Sequence, residues 1–283
     1  MFLLDGKKAA NELKAKLIED IKKYNKGRNP KLAILISAKD SGSISYLKGR
    51  QKLASEIGID VDVYDCEHFN QDEMVELVDR LSNDNSVDGI MIDRPLGNNI
   101  DEEVVFAHLN YKKDIDGCTL HNLGLLYQGR KCHVGATARA VLELLKYYKI
   151  PLDGENIAVL GRSRNVGKPL FLLLNNEDAT VTLCHSKTKH LPDICKTKDI
   201  VIVAIGKKEL IDEKYFNPNS VVIDVGIHYD EDGKMVGDVK RSVKEYVKAI
   251  SPVPGGVGPL TNIALMQNLL ENYRGDDIGG TTS

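Results

Sequence analysis

Residues 156–169 read NIAVLGRSRNVGKP, which is a short apolar strand, a turn that contains glycine, and the beginning of a helix. Where a strand of a doubly wound sheet passes through such a turn into a helix, the amides at the helix N-terminus bind pyrophosphate. Gly161 and Gly167 are separated by bulky residues, so the turn does not match G-x-G-x-x-G. A tight turn also requires glycine for structural reasons alone. Position and pattern together favour a nucleotide site.

Apolar strands and amphipathic helices alternate on both sides of this turn, which is typical of a parallel α/β fold. Downstream, the pattern predicts a helix over 168–175, strands at 179–185, 199–206 and 220–227, a loop rich in Gly and Pro at 251–261, and a last helix over 262–273. Upstream, it predicts helices over 7–24, 43–57, 70–82 and 138–148, and strands at 31–38, 59–66 and 88–93. This length of chain suits one large domain or two ordinary ones.

The bulk composition excludes several classes of protein. The chain has 283 residues, of which 42% are hydrophobic and 28% are charged, as in ordinary globular proteins. A formal net charge of −3 provides no basic field for nucleic acid. The N-terminus lacks the pattern of a signal peptide, and no apolar run approaches the roughly 20 residues of a membrane span. We therefore expect a cytoplasmic protein with no nucleic-acid or membrane partner.

The cysteines and histidines indicate neither a disulfide nor a metal site. The cysteines are odd in number, widely spaced and without a C-x-x-C pair, and the histidines show no H-x-x-x-H or H-E-x-x-H spacing. We expect reduced thiols, mostly buried, at Cys66, Cys118, Cys132, Cys184 and Cys195.

The end of the second strand after the glycine turn indicates which nicotinamide cofactor is used. A site that selects NAD usually has Asp or Glu there, which accepts hydrogen bonds from the ribose 2′-hydroxyl. This chain instead has CHSKTK at 184–189, about 24 residues after Gly161. Hydroxyls, lysines and the nearby Arg162 attract a 2′-phosphate, whereas a carboxylate repels it. The sequence therefore favours NADP over NAD, and the alternative is a solvated basic turn.

At this point the sequence resembles a known family, the methylenetetrahydrofolate dehydrogenase/cyclohydrolases, over nearly the whole chain. Motifs similar to those of the family's cofactor domain occur in order and at the right spacing: GRSRNVGKP (161–169), ATVTLCHSKT (179–188), VVIDVGI (221–227), GDV (237–239) and PVPGGVGPLT (252–261). SYLKGRQKLASEIGI (45–59) and DIDG (114–117) are similar to motifs of its substrate domain.

The resemblance implies two α/β domains around a cleft. We expect a three-layer folate-binding catalytic domain over 1–137 with 262–283, and a Rossmann-like NADP-binding domain over 138–261. The implied reaction is the NADP-dependent oxidation of 5,10-methylenetetrahydrofolate to 5,10-methenyltetrahydrofolate in one-carbon metabolism. The implied partners are tetrahydrofolate derivatives and a second copy of the chain in a homodimer.

The resemblance also implies roles for matching positions. Tyr46 stacks on the aminobenzoate ring of the folate, and Asp116 hydrogen-bonds the pterin. The 252–261 loop brings backbone close to the ligand, including Pro254, Gly255 and Gly256. The residues expected at NADP are Gly161, Arg162, Ser163, Gly167, His185, Ser186, Ile227 and Thr261. The structural alternatives are a surface aromatic for Tyr46 and an Asx turn for Asp116.

Three departures from the family pattern bear on catalysis. The family's catalytic lysine stands four residues after the tyrosine, and that position here is Arg50. The glutamine of its next motif corresponds to Asp93, and its Pro-Cys-Thr-Pro run corresponds to 135–138, which read GATA. We count Arg50 and Asp93 with Tyr46 and Asp116 as the candidate catalytic residues.

Arg50 is a poor replacement for a lysine that takes and gives a proton. Position i+4 of a helix returns to the face of position i, so Tyr46 and Arg50 project together. Lys48 and Lys52 lie roughly 200° and 240° around from Tyr46, so neither easily substitutes. Hydrolysis of the methenyl cation needs a group that cycles its proton, whereas arginine stays protonated. Hydride transfer needs no such group.

The two substitutions also suit each other. A permanent guanidinium favours a carboxylate neighbour, and the two groups can pair through two hydrogen bonds. A negative charge at Asp93 also favours a developing cation. Against a loss of cyclohydrolase activity, Asp93 could itself act as the base for water.

Several functions remain open on the sequence alone. The main hypothesis is an NADP-dependent dehydrogenase with weak or absent cyclohydrolase activity. The second is the ordinary bifunctional enzyme, in which Asp93 or a mobile Lys48 replaces the lysine. The third is a folate- or nucleotide-binding regulator without catalysis. A different two-domain NADP enzyme, such as a shikimate-type dehydrogenase, would require a lysine and aspartate pair that we cannot place.

Overall fold

The computed structural model describes residues 2–37, 41–97 and 99–280, and it describes no side chains at 41 and 42. The last residue of the strand predicted at 31–38 lies outside the described residues. The chain divides into two compact units, one formed by Met1–Glu12 with Ala136–Ala264 and the other by Leu13–Gly135 with Leu265–Ser283. Each unit is named here by its main parallel sheet, the first as the six-stranded unit and the second as the three-stranded unit.

The helices and strands alternate along the chain, as the sequence predicts. In order they are β1 (Phe2–Leu3), α1 (Gly6–Lys23), β2 (Lys31–Ile36), α2 (Ser41–Ile57), β3 (Asp60–Asp65), α3 (Gln71–Asn83), β4 (Gly89–Ile92), α4 (Glu102–His108), α5 (Leu120–Tyr127), α6 (Ala136–Tyr147), β5 (Asn156–Leu160), α7 (Gly167–Asn175), β6 (Thr180–Cys184), α8 (Leu191–Lys196), β7 (Ile200–Val203), β8 (Val221–Asp224), β9 (His228–Tyr229), β10 (Met235–Val236), β11 (Ala249–Ile250) and α9 (Gly258–Arg274).

The three-stranded unit is built on a parallel sheet in the order β3-β2-β4. A capping box begins α3. The side chain of Asn70 accepts from the Glu73 amide, and the side chain of Glu73 accepts from the Asn70 amide. The core between α3, α4 and the sheet is made of buried apolar side chains, which include Leu35, Met74 and Ile90. This unit therefore presents the carboxyl ends of β2 and β4 side by side.

The six-stranded unit contains a parallel sheet in the order β1-β11-β8-β7-β5-β6. The strands β7 and β8 are buried along their whole length, and they are apolar except for Asp224 at the end of β8, as expected for strands covered on both faces. The chain runs from β5 to β6 on one side and then crosses to β7 on the other side of β5. This reversal is the topological switch point at which doubly wound sheets bind ligands. The α/β fold with a Rossmann-like domain is confirmed.

The N-terminal segment belongs to a different unit from the one expected. The sequence placed residues 1–137 together, whereas residues up to Glu12 group with the six-stranded unit. The cause is backbone pairing, because the amides of Phe2 and Leu4 donate to the carbonyls of Lys248 and Ile250, each at 2.9 Å. Strands of two residues are too short to show a period of two, so β1 and β11 were not predicted.

The last helix begins four residues earlier than the sequence suggested. We expected a loop up to 261, but α9 begins at Gly258 and contains Pro259 in its first turn, where a missing N–H costs nothing. Thr261 therefore lies on the helix, and its hydroxyl donates to the Gly258 carbonyl at 2.8 Å.

The described residues contain neither a membrane-spanning helix nor a cluster of metal ligands. No helix among them is both long enough and apolar enough to cross a bilayer. They also contain no group of three or more His, Cys, Asp or Glu side chains that could hold a metal ion.

Candidate active site

The glycine turn after β5 is shaped by close backbone approach. Gly161 has a φ of 114°, and a Cβ at this position would overlap the carbonyl oxygen of Ala204, which follows β7. A Cβ on Gly167 would overlap the carbonyl oxygen of Gly161. Ser163 completes the turn, because its hydroxyl accepts from the amides of Val166 and Gly167 at 3.3 Å. Gly161 and Gly167 do not have the spacing of G-x-G-x-x-G, but the turn that they form still brings the N-terminus of α7 to the switch point.

Other expected cofactor residues lie at the same edge of the six-stranded sheet. His185 and Ser186 follow β6 and Ile227 follows β8, and carboxyl ends of parallel strands meet at one edge. The ring Nδ1 of His185 accepts from the Lys187 amide at 3.2 Å, and its own amide donates to Thr188. His185 thus shapes the turn, and it leaves the side chain of Ser186 exposed.

The charge at this edge suits a phosphate. Arg162 is exposed in the turn after β5, and the turn after β6 carries Lys187 and Lys189 with no carboxylate. Cations and hydroxyls at these positions fit a 2′-phosphorylated ribose better than an unmodified one. The backbone turn and this charge therefore meet the chemical requirements of NADP.

The loop after β11 is held by the N-terminal segment. The Gly6 amide donates to the carbonyl of Gly255 at 2.8 Å, and a Cβ on Gly6 would overlap the carbonyl oxygen of Gly256. Gly255 and Gly256 are buried, while Pro254 is exposed. Sequence reasoning assigned no role to Gly6, although an Asp-Gly pair before a helix is a detectable turn signal. The close approach depends on a segment almost 250 residues away.

Buried Arg50 and partly buried Asp93 form an ion pair in the three-stranded unit. Nη1 of Arg50 lies 2.7 Å from Oδ1 of Asp93, and Nη2 lies 2.6 Å from Oδ2. Arg50 is only 5% exposed, and its Nη1 also lies 3.0 Å from the sulfur of Met91. Its Nε has no hydrogen-bond partner among the described residues. The two-point pairing expected from the sequence is confirmed.

The other side chains of α2 differ sharply from Arg50 in burial. Tyr46, one turn before Arg50, is 55% exposed and can offer its ring to a ligand. Lys48 and Lys52 are both exposed, so neither occupies the buried position that Arg50 takes. The helix thus presents one accessible aromatic residue and one buried cation on neighbouring turns.

The second aspartate of the DIDG motif is placed by the first. Asp114 is buried, and its carboxylate accepts from the amides of Cys118 and Thr119 and from the Asn122 side chain. This network holds the turn that carries Asp116. The thiol of Cys118 donates to the Asp116 carboxylate at 3.4 Å. Burial raises the pKa of Cys118 far above its usual value, and the neighbouring aspartates raise it further.

The DIDG segment and Asp93 emerge at the same edge of the three-stranded unit. Ile90 of β4 forms a parallel bridge with Asp114, and its amide donates to the Lys113 carbonyl at 2.7 Å. Because the two segments run in the same direction, Asp93 and Asp116 both follow the bridge on its carboxyl side.

Residues 135–138 open a helix. Ala136 and Ala138 are buried in the first turn of α6. Thr137, which lies between them, is the only one of residues 135–138 whose side chain carries a polar group. The Asn268 amide group donates to the carbonyl of Val134 at 2.9 Å and to that of Ile115 at 2.6 Å. It thereby holds the segment before α6 beside the DIDG segment.

Comparison with known proteins identifies the family to which both parts of the chain are similar. The family model described as the catalytic domain of tetrahydrofolate dehydrogenase/cyclohydrolase matches residues 4–116, and the model of its NAD(P)-binding domain matches residues 135–276. The chain is 40% identical to the bifunctional protein FolD of Ligilactobacillus salivarius over 272 residues, which are 95% of each chain. The chain belongs to the tetrahydrofolate dehydrogenase/cyclohydrolase family.

Solved structures of the family have the same fold. The crystal structure of the bifunctional FolD enzyme from Campylobacter jejuni superposes with a TM-score of 0.94 at 35% identity and covers 97% of this chain and 99% of its own. The Trypanosoma brucei enzyme, complexed with NADP cofactor and an inhibitor, gives 0.89 at 32% identity, with 96% and 97% covered. This family member is therefore an enzyme with a catalytic domain and an NAD(P)-binding domain.

Proposed function

We propose that this enzyme oxidises 5,10-methylenetetrahydrofolate to 5,10-methenyltetrahydrofolate with NADP, and that it hydrolyses the product slowly or not at all. The observation that carries the second part is the pairing of buried Arg50 with Asp93. NADP is supported by exposed Arg162, by the absence of an acid in the turn after β6, and by the cofactor described for the trypanosomal relative.

The dehydrogenase step requires positioning more than proton transfer. When bound, NADP supplies the hydride acceptor. We assign Tyr46 to stacking on the aminobenzoate ring and Asp116 to accepting hydrogen bonds from the pterin. The thiol of Cys118 donates to Oδ2 of Asp116 at 3.4 Å, so a carboxylate that accepts hydrogen bonds is already present at this turn. Loss of hydride creates a delocalised cation on the folate, and no side chain must cycle a proton for this to occur.

The hydrolase step requires a group that both takes and gives a proton. Arg50 cannot do so near neutral pH because a guanidinium stays protonated. Both oxygens of Asp93 accept from Arg50, so its use as a base for water would put a proton on a carboxylate that is already engaged in two charge-assisted hydrogen bonds. The sequence suggested that the negative charge of Asp93 stabilises the product cation. The guanidinium compensates this charge, so Asp93 stabilises the cation less than expected.

The bifunctional enzyme is the second candidate, and relatives such as those of L. salivarius and C. jejuni favour it, since both are described as bifunctional. In that case a group other than a lysine at position 50 activates water. A third candidate, a binding protein without catalysis, is disfavoured because Tyr46, Asp116 and the glycine turn are all retained.

A two-activity assay on the purified protein tests the proposal. The enzyme is incubated with 5,10-methylenetetrahydrofolate and NADP, and NADPH formation is followed by absorbance. In parallel, methenyltetrahydrofolate is added and its decay is compared with an enzyme-free sample. NADPH formation with unaccelerated decay supports the proposal. Acceleration of the decay establishes the bifunctional candidate, and failure of both reactions leaves the binding protein.

The homodimer implied by the family resemblance forms part of the same proposal. Light scattering coupled to gel filtration should give twice the mass of the 31.3 kDa chain. A mass equal to that of one chain would refute this part alone.

A further inference from the structure

Asp238 is a buried carboxylate that accepts four hydrogen bonds. Its Oδ2 accepts from the amides of Ile205 at 2.7 Å and Gly206 at 3.0 Å. Its Oδ1 accepts from the Lys207 amide at 2.8 Å and from Nε2 of His228 at 2.7 Å. Asp238 has no exposed surface. The sequence marked it as part of a family motif but gave it no role.

These four donors belong to two loops at the cofactor edge of the six-stranded sheet. Residues 205–207 follow β7, directly after Ala204, whose carbonyl packs against Gly161 at the switch point. His228 follows Ile227 and is the first residue of β9, at the end of the loop after β8. A single carboxylate on a third segment, just after β10, therefore ties the ends of β7 and β8 together.

The position of Asp238 is itself fixed. Its amide donates to Oδ1 of Asp224 at 3.0 Å, and the Val239 amide donates to Oδ2 at 3.0 Å. Gly226 also donates to Oδ1 of Asp224, which links the loop after β8 to the same network. Burial raises the pKa of Asp224 to about 6, although these three amides oppose the shift. The backbone that carries Asp238 is therefore held in place by its hydrogen bonds to the Asp224 carboxylate.

The two halves of a dinucleotide reach different strands of such a sheet. A dinucleotide binds across the switch point, with its pyrophosphate at the helix N-terminus. The 2′-phosphate residues Arg162 and Ser186 lie after β5 and β6, on one side of this point. The nicotinamide half must then extend to the other side, over the ends of β7 and β8. Those ends are the loops that Asp238 holds.

We propose that Asp238, with His228, is a positioning residue for the nicotinamide half of the cofactor. This inference rests on the proposed NADP-dependent dehydrogenase activity. Asp238 is buried beneath the loops and does not touch the reacting atoms. It sets the backbone of residues 205–207 and 226–228, and thereby the place of the nicotinamide and the alignment on which hydride transfer depends.

Asparagine cannot reproduce this arrangement, although it has the same size. Each oxygen of Asp238 accepts two hydrogen bonds, so the amide group of Asp238→Asn must face two donors in either orientation. The backbone amides of Ile205 and Gly206 would lose their acceptor in one orientation. The Lys207 amide would lose its acceptor in the other, even if the His228 ring changes tautomer and accepts. In either case the loop at 205–207 would shift.

The test compares the whole cofactor with its adenosine half. For Asp238→Asn we expect at least a tenfold weaker Kd for NADP and a lower kcat, whereas the Kd for adenosine 2′,5′-bisphosphate, which lacks nicotinamide, stays within twofold. A merely structural role would weaken both ligands together. Equal weakening of both, or no change in NADP binding, would overturn the proposal. Asp230→Asn, in the turn between β9 and β10, is the matched control and should leave both constants unchanged.

A second variant covers the case in which Asp238→Asn does not fold. His228→Ala releases only the loop after β8, so we expect about a threefold or greater weakening of NADP binding with the bisphosphate unaffected. Unchanged NADP binding would overturn the proposal. Where both variants fold, their combined effect should be less than the product of the single effects, because Asp238→Asn already disturbs the contact with His228. If the unmodified enzyme neither binds NADP nor forms NADPH, the proposed function fails instead.

Discussion

The guanidinium of Arg50 meets the carboxylate of Asp93 in a two-point pairing, with Nη1 2.7 Å from Oδ1 and Nη2 2.6 Å from Oδ2. At the corresponding positions the family pattern has a lysine and a glutamine. A neutral amide lets a buried lysine give up its proton, whereas a carboxylate would hold the lysine in its charged form. The two substitutions are therefore complementary, and each makes chemical sense only with the other.

The first prediction concerns hydrolysis of the methenyl compound. The unmodified enzyme should let methenyltetrahydrofolate accumulate, because arginine does not cycle its proton and both oxygens of Asp93 are engaged with Arg50. Arg50→Lys alone should recover little activity, since Asp93 would hold the new lysine protonated. Arg50→Lys with Asp93→Gln should recover more than the two single changes together, as expected for contacting residues. The measurement is methenyl decay minus the enzyme-free rate, with NADPH formation as the control for intact protein.

A rapid decay catalysed by the unmodified enzyme would contradict this prediction. Asp93→Asn would then identify the group responsible. It removes the carboxylate that could act as a base, so loss of hydrolysis in this variant would assign the proton transfer to Asp93.

The second prediction concerns stability. Asp93→Ala leaves a buried guanidinium without its partner, which should lower the free energy of unfolding by about 3–5 kcal/mol. Arg50→Met combined with Asp93→Leu should cost much less, because no unpaired charge remains buried. Asp232→Ala is the control, since it breaks an exposed pair with Lys234 and should cost less than about 1 kcal/mol. Urea unfolding curves give the three values, and a small loss for Asp93→Ala would show that the pair is well hydrated.

The third prediction concerns the cofactor. NADP should give a kcat/KM at least tenfold above that of NAD, which corresponds to about 1.4 kcal/mol of discrimination. Arg162→Ala should remove most of this preference by weakening NADP and leaving NAD unchanged. Arg164→Ala, an exposed arginine in the same turn, is the matched control. Equal use of both cofactors by the unmodified enzyme would refute the assignment.

The fourth prediction concerns the loop after β11. Gly6→Ala places a Cβ against the carbonyl oxygen of Gly256, so the backbone at 254–256 must move. If this loop contacts folate as the resemblance implies, the KM for methylenetetrahydrofolate should rise at least fivefold. Gly124→Ala is the control, because a Cβ there has no neighbour within 4 Å. Steady-state kinetics with both variants measure the effect, and an unchanged KM for Gly6→Ala would remove this loop from the folate site.

The class of fold and most of its elements follow from local signals in the amino-acid sequence. Periods of 3.6 and 2 residues, the cap at Asn70 and the buried strands around residue 160 are local signals, and they act wherever the segment lies in space. The resemblance of separate motifs likewise identified the candidate residues, including the unusual Arg50 and Asp93.

Tertiary structure decided which distant residues act together. The N-terminal strand joins β11, the Gly6 amide reaches Gly255, and Asp238 accepts from residues 31 to 33 positions earlier in the chain. Such contacts have no periodic signal, because their partners are brought near one another only when the sheet forms. The sequence also does not show why Gly6 and Gly161 must be glycine, because the atoms that a Cβ would overlap belong to distant segments of the chain. Local conformational preference therefore specified the elements, and long-range packing specified the site.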